Sequence, residues 1–85
     1  MAYKLVYTRR AARDISKLQK DVKERIRKSL EKYAGNPFSY ARKMVDPSLG
    51  AYRFRVGDYR IIFDIEDNEL VILRVGHRDE IYRNR

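Results

Sequence analysis

The sequence predicts an α+β domain in the order β-α-α-β-β-β, with two N-terminal helices packed on one face of a small antiparallel sheet. Three observations predict it. Apolar residues recur at helical spacing through the first 35 positions, the period switches to two from Ala51 onward, and between them lies an irregular stretch marked by proline and glycine. The 85 residues read as one domain, 1–85, near the lower size at which a chain builds a core unaided. There is no cysteine, which removes disulfides and thiolate metal sites and leaves packing and hydrogen bonds as the sources of stability.

Taken in order, Tyr3 to Tyr7 alternate weakly and read as a short strand. Thr8 offers an N-cap for a first helix, in which Ala11, Ala12, Ile15 and Leu18 recur at helical spacing. Asp21 with Glu24 three residues on reads as a capping box opening a second helix, whose apolar stripe is Val22, Ile26, Leu30 and Tyr33. Gly35 and Pro37 stop it. The alternative is one continuous helix, since neither proline nor glycine interrupts Gln19 to Asp21. Phe38 to Gly50 reads as a loop or one extra turn, punctuated by Pro47 and Gly50, with Met44, Val45 and Leu49 as plugs over the core. Strands follow at Ala51–Val56, Tyr59–Glu66 and Leu70–Gly76, joined by tight turns at Gly57-Asp58 and Asp67-Asn68, before a polar tail.

The net charge is +8, from 20 Lys and Arg against 12 Asp and Glu. Such a balance points to a polyanionic partner; the plain alternative is a basic chain whose charge only keeps it soluble. No apolar run approaches the roughly 18 to 20 residues of a membrane helix, and the opening "MAYKLVYTRRAARD" lacks a signal-peptide pattern, so the expected compartment is the cytoplasm, with no membrane partner.

The stretch "YRFRVGDYRIIF", residues 52–63, carries the strongest local signal. A two-residue turn at Gly57-Asp58 pairs Val56 with Tyr59, Arg55 with Arg60, Phe54 with Ile61 and Arg53 with Ile62. Tyr52, Phe54, Val56, Tyr59, Ile61, Phe63 and Ile65 then share the core face, and Arg53, Arg55 and Arg60 share the other. Like charges directly opposite one another destabilise an antiparallel pair, so something outside the sheet must repay the placing of Arg55 against Arg60. Guanidinium forks suit a phosphodiester. The alternative is a solvated strand face.

For the last strand, a three-residue connection sends Val71, Leu73 and Val75 to the core and Arg74 to the arginine face. The strand delivers "GHRDEIY", with the single histidine, His77, followed by Arg78 and Tyr82. Histidine and tyrosine are both candidates for proton transfer, against the alternatives of a structural histidine and a tyrosine that seats the tail. The carboxylates Asp64, Glu66, Asp67 and Glu69 cluster around a turn where solvation explains them, and neither metal nor cofactor is expected.

These residues bear a likeness to a known family. The chain resembles the RelE/ParE superfamily of toxins from type II toxin–antitoxin modules, through "YKLVYTRRAARDISKL", "DVKERIRKSL", "LGAYRFRVGDYRIIFDI" and "VILRVGHRDEIYR", which together cover nearly its whole length. The RelE-like branch implies a metal-independent endoribonuclease that cleaves mRNA in the ribosomal A site and so inhibits translation. It also implies a cognate RelB-like antitoxin, in a hetero-oligomer that binds operator DNA through the antitoxin. By the same resemblance Arg53, Arg55, Arg60, Arg78 and Tyr82 act on the scissile phosphate. A ribose 2'-hydroxyl attacks in line and leaves a 2',3'-cyclic phosphate and a 5'-hydroxyl.

Two departures from the RelE pattern bear on the mechanism. Arg53 and Arg55 stand where that pattern has lysines, and arginine stays charged, so neither serves as a general base. The spacing from Arg78 to Tyr82 is also shorter, and some related ribosome-dependent toxins carry an active-site histidine after the last strand, which makes His77 a rival to Tyr82. Lys17, Lys20, Lys43 and Arg74 are expected to hold RNA around the site; the helix residues Lys17, Lys20, Lys23, Arg27, Lys28 and Lys32 contact ribosomal RNA or the antitoxin or, alternatively, form a solvated helix face. The ParE branch, which inhibits DNA gyrase by protein contact without phosphodiester chemistry, is the competing reading. A degenerate toxin acting as antitoxin-binding co-repressor is the third.

Overall fold

Thr8 starts the first helix as its position predicts. In the computed structural model, which describes residues 2–46 and 48–82, its side-chain oxygen accepts a hydrogen bond from the Ala11 N–H at 3.1 Å. The elements are β1 (Lys4–Tyr7), α1 (Arg9–Ser16), α2 (Lys20–Gly35), a 3-10 turn (Pro37–Ser39), β2 (Arg42–Lys43), β3 (Tyr52–Val56), β4 (Tyr59–Glu66) and β5 (Glu69–His77). Two helices do form: Gln19 adopts an extended conformation, which breaks the run between them. The expected capping box does not form. Gln19 is the N-cap and makes no side-chain cap bond, while Glu24 is drawn away to Arg27 one turn later.

The α+β class holds, but the expected order gains a two-residue strand, β2, before the three predicted ones, and the sheet is mixed. Its five strands run in the order β1-β5-β4-β3-β2, with β1 parallel to β5 and every other pair antiparallel. Two helices separate β1 from the meander, so β1 returns alongside β5 without any local turn to announce the pairing.

The β3–β4 hairpin takes the predicted register, with Val56 opposite Tyr59, Arg55 opposite Arg60 and Arg53 opposite Ile62. Gly57 holds φ +58°, a left-handed conformation that glycine adopts without a Cβ clash. The expected core face is the observed one: Phe54, Val56, Ile61 and Phe63 are buried, and Tyr52, Tyr59 and Ile65 pack at its border. Ala11, Ile26, Leu30 and Ala34 meet them from the helices. Phe54 and Phe63 stack at 4.1 Å between centroids with neither exposed, and burial of each ring contributes about 2 kcal/mol.

The three-residue connection before β5 is not what the chain uses. Glu66 pairs with Glu69 around a two-residue turn at Asp67-Asn68, Leu70 and Ile72 enter the core, and Leu73 is then inserted as a bulge opposite the Ile62/Phe63 step. The bulge resets the alternation so that Val75 is also buried. Val71 and Leu73 therefore leave the core face to which the longer connection assigned them, and Leu70 and Ile72 replace them.

The segment before β3 is less of a plug than expected. Val45 is 95% exposed, although Met44 and Leu49 are partly covered. Gly50 makes the closest approach to the sheet: a Cβ there would lie 2.6 Å from the Ile62 Cγ2 and 2.9 Å from the Leu73 Cδ1. This covers Ile62, which is fully buried on the side of the sheet away from the helices. Pro47 and residues 83–85 of the tail lie outside the described residues.

Candidate functional site

Strands β2, β3 and β4 bring four arginines together. Arg55 faces Arg60 across the hairpin, and Arg53 faces Arg42 across the β2–β3 pair. Arg42, Arg53, Arg55 and Arg60 line a hollow of about 100 Å³, closed on one side by Tyr40. Among the described residues none of the four forms an ion pair with a carboxylate. Two unit charges about 4 Å apart repel by roughly 1 kcal/mol even in water, and several such pairs favour an anion between them.

The bonds these groups do make orient them. Arg60 Nη1 donates to the carbonyls of Gly57 and Tyr59, at 2.9 Å each, which folds its guanidinium back toward the turn. Arg53 Nη1 donates to the Tyr82 hydroxyl oxygen at 3.3 Å. Tyr82 gets there because the tail turns sharply after β5. The His77 carbonyl accepts from the N–H groups of Glu80 and Ile81 at 2.9 Å, and Ile81 is buried, 2% exposed, against Gly76.

His77 lies elsewhere. It pairs with Tyr59, whose ring it meets edge-on at 5.6 Å, and it lines a cleft of about 410 Å³ with Asp14, Lys17, Arg74 and Glu80. Its Nδ1 accepts the Asp79 N–H at 3.1 Å, and the Asp79 carboxylate is 3.5 Å away. Arg78 is exposed. Its N–H donates to the Asp58 carbonyl at 2.8 Å, and its guanidinium lies 3.9 Å from the carboxylates of Asp58 and Asp79, a weak surface pairing.

Arg74 does not line the arginine hollow. Its Nε donates to Asp14 of α1 at 2.9 Å, in a pair only 18% and 15% exposed, and the same carboxylate oxygen accepts the Val75 N–H at 3.0 Å. The bulge at Leu73 that carries Val75 into the core also carries Arg74 to α1. Lys43 is exposed on β2 opposite Tyr52, Lys17 caps the end of α1 beside the His77 cleft, and Lys20 is exposed at the start of α2. Two lining residues, Arg42 and Tyr40, escaped the sequence reading. Their only signal is the short basic and aromatic run "YARK" before an irregular segment, with no periodicity to place it on a strand.

On the helix side, α1, α2 and β1 enclose an apolar groove of about 400 Å³, lined by Tyr7, Ala12, Ile15, Ile26 and Leu30 and edged by Arg27. Burial and the neighbouring Glu31 carboxylate hold the Tyr7 hydroxyl above its ordinary range. Among the described residues no group of His, Cys, Asp or Glu converges as metal ligands, and no helix is long and apolar enough to cross a membrane.

A family model described as the ParE toxin of type II toxin–antitoxin systems, parDE, matches residues 5–82. The chain belongs to this family, within the RelE/ParE superfamily of toxins. It is 34% identical to Toxin RelG of Mycobacterium tuberculosis over 90 residues, covering 98% of this chain and 99% of that protein. The toxin–antitoxin complex RelBE2 of the same organism matches with a TM-score of 0.82 at 27% identity, over 92% of this chain and 100% of the matched one. A mutant of Escherichia coli toxin RelE in the free state matches in fold, with a TM-score of 0.76 at 23% identity, over 96% and 90%. The chain is thus a type II toxin–antitoxin toxin with the RelE-like fold.

Proposed function

We propose that this toxin is a ribosome-dependent mRNA endoribonuclease that inhibits translation. The observation that carries the reading is the hollow in which Arg42, Arg53, Arg55 and Arg60 meet without a carboxylate, with the Tyr82 hydroxyl bonded to one of them, Arg53. The arginines hold the scissile phosphate and stabilise charge developing on it as the adjacent 2'-hydroxyl attacks. Tyr82 moves the proton. Its bond to Arg53, one of the hollow-lining arginines, supports it over His77, whose ring meets Tyr59 and whose Nδ1 accepts from Asp79. Arg78, exposed beside Asp58 and Asp79, contributes long-range positive charge. Lys17, Lys20 and Lys43 hold flanking RNA, and Arg74 joins them from its anchor on Asp14.

The substrate must be aligned from outside. A hollow of about 100 Å³ on a small basic surface supplies charge but little to fix the attacking oxygen in line, so the ribosome provides the alignment. The partner in the resting cell is a RelB-like antitoxin. A complex of this kind is what the M. tuberculosis match contains, and the apolar groove between α1 and α2 offers a seat for an amphipathic helix. The assembled pair binds operator DNA through the antitoxin, and the toxin works in the cytoplasm.

Primer extension on messages recovered from translating ribosomes tests the reading: new ends within the A-site codon are expected. The ParE-type reading, inhibition of DNA gyrase by protein contact, is supported by the family model. Under it the message stays intact and gyrase activity falls.

A further inference from the structure

The arginine hollow has one wall that charge does not explain. Tyr40 lines it and is 39% exposed, yet its ring is held in place. Tyr33 stacks on it at 4.3 Å between centroids with planes 24° apart. Tyr33 is itself fixed from two sides: its ring lies 4.9 Å from that of the buried Phe54, and its hydroxyl donates to the Arg55 carbonyl at 3.3 Å. An exposed tyrosine on a connecting segment ordinarily has rotamer freedom. Here it is braced through Tyr33 to the core and to the backbone of a hollow-lining arginine.

Size decides what the brace is for. Pockets that bury a small organic ligand run from roughly 300 Å³ upward, and this hollow, at about 100 Å³, takes a phosphate group and little more. The base attached to a bound phosphodiester therefore has to lie outside the hollow, along its rim. The rim offers an aromatic plane at Tyr40. Lys32 Nζ sits 5.7 Å from the centre of that ring, near the outer limit of a cation–π contact and on a flexible exposed stem, so it can move toward a neighbouring phosphate.

We infer that Tyr40, braced by Tyr33, is a nucleobase-stacking subsite beside the phosphate cradle, so that the site takes an unstacked nucleotide of single-stranded RNA. The inference rests on the reading of the hollow as a phosphate site. A duplex keeps its bases inside the helix and presents only backbone, whereas a single strand can lay a base on an aromatic plane. Because every base has a π-face, this subsite selects for strandedness more than for sequence. The two-residue strand β2 builds both parts: it sets Arg42 against Arg53 and, two residues before Arg42, leaves Tyr40 on the wall of the hollow.

The test is a titration of the full chain, at low salt and without ribosomes, with an RNA trinucleotide carrying 2-aminopurine at its centre and with the same trinucleotide abasic at that position. The base-bearing RNA is expected to bind about tenfold more tightly, with quenching of the 2-aminopurine fluorescence. Tyr40→Leu should abolish both the preference and the quenching, while Tyr40→Trp keeps them. Arg55→Ala should weaken both RNAs alike. Far-UV circular dichroism and thermal melts establish that each variant folds. Equal binding of the two RNAs by the wild type, binding of neither, or a preference that survives in Tyr40→Leu overturns the subsite. The outcome is separable from the endoribonuclease reading. Stacking without cleavage on ribosomes leaves the subsite standing and removes the activity, and cleavage without a base preference does the reverse.

Discussion

The Tyr82 hydroxyl oxygen accepts a hydrogen bond from Arg53 Nη1 at 3.3 Å, joining the tail to a strand 29 residues earlier in the chain. Arg53 joins this contact to the hollow that it lines with Arg42, Arg55 and Arg60, while Tyr82 itself lines a neighbouring hollow of about 180 Å³ with Met44 and Leu49. A phenol can exchange a proton with a group bound at Arg53, which none of the guanidinium groups can do.

Replacing Tyr82 with phenylalanine therefore isolates the hydroxyl. Ribosome-dependent cleavage by Tyr82→Phe is expected to fall about 10²- to 10⁴-fold, the usual worth of a positioned proton-transfer group. Stability should change by no more than about 1 kcal/mol, since a single partly exposed hydrogen bond is lost. Single-turnover cleavage and a urea melt measure the two effects. Cleavage at the wild-type rate would remove Tyr82 from the chemistry.

His77 is expected to shape the turn that places Tyr82. Its Nδ1 accepts the Asp79 N–H, and an asparagine side-chain oxygen can take over that role. His77→Asn should cleave within about tenfold of the wild type, whereas loss of a general base costs about 10²- to 10⁴-fold. His77→Ala, with no acceptor, should do worse than the asparagine variant. If both variants lose activity equally and the pH profile flattens on its acid side, His77 is the base after all.

The Arg55–Arg60 pair sets function against stability. Cross-strand like charges cost about 0.2 to 1 kcal/mol, so Arg55→Thr should raise stability by about that much while lowering toxicity. The gain should shrink as salt rises, because screening already relieves the repulsion. Urea denaturation at low and high salt reads it, and a loss of stability in the variant would show that the pair is not repulsive.

Gly50 is where the connecting segment is fastened to the sheet. It holds φ +152°, and a methyl group there meets the Ile62 and Leu73 side chains at 2.6 and 2.9 Å. Gly50→Ala should cost about 2 to 4 kcal/mol, from strain and overpacking together. The midpoint of urea unfolding checks this; an unchanged midpoint would mean the segment shifts freely.

What the sequence revealed follows from how local each feature is. The β3–β4 register was legible because Gly57-Asp58 fixes the turn and strict alternation fixes the faces, and with it came the placing of Arg53, Arg55 and Arg60. The β5 register was not, because one inserted residue, Leu73, breaks the period and carries Arg74 to Asp14. That carboxylate comes from α1, 60 residues away in the chain. The same limit hid Arg42 and Tyr40: a two-residue strand has no period, and exists only because β3 is there to pair with it. The capping box failed for a different reason. The helix begins at Lys20 with Gln19 as its N-cap, so Asp21 lies inside the first turn, and Glu24 pairs with Arg27 instead.

The central claim is that the arginine hollow holds a phosphate of ribosome-bound message. Toeprinting of stalled translation complexes with the wild type and with Arg53→Ala, Arg55→Ala and Arg60→Ala, each confirmed as folded, tests it most directly. The wild type should produce cleavage within the A-site codon that each substitution reduces by at least about tenfold, with naked message cut poorly. Intact message with the wild type, or undiminished cleavage by all three variants, would contradict it.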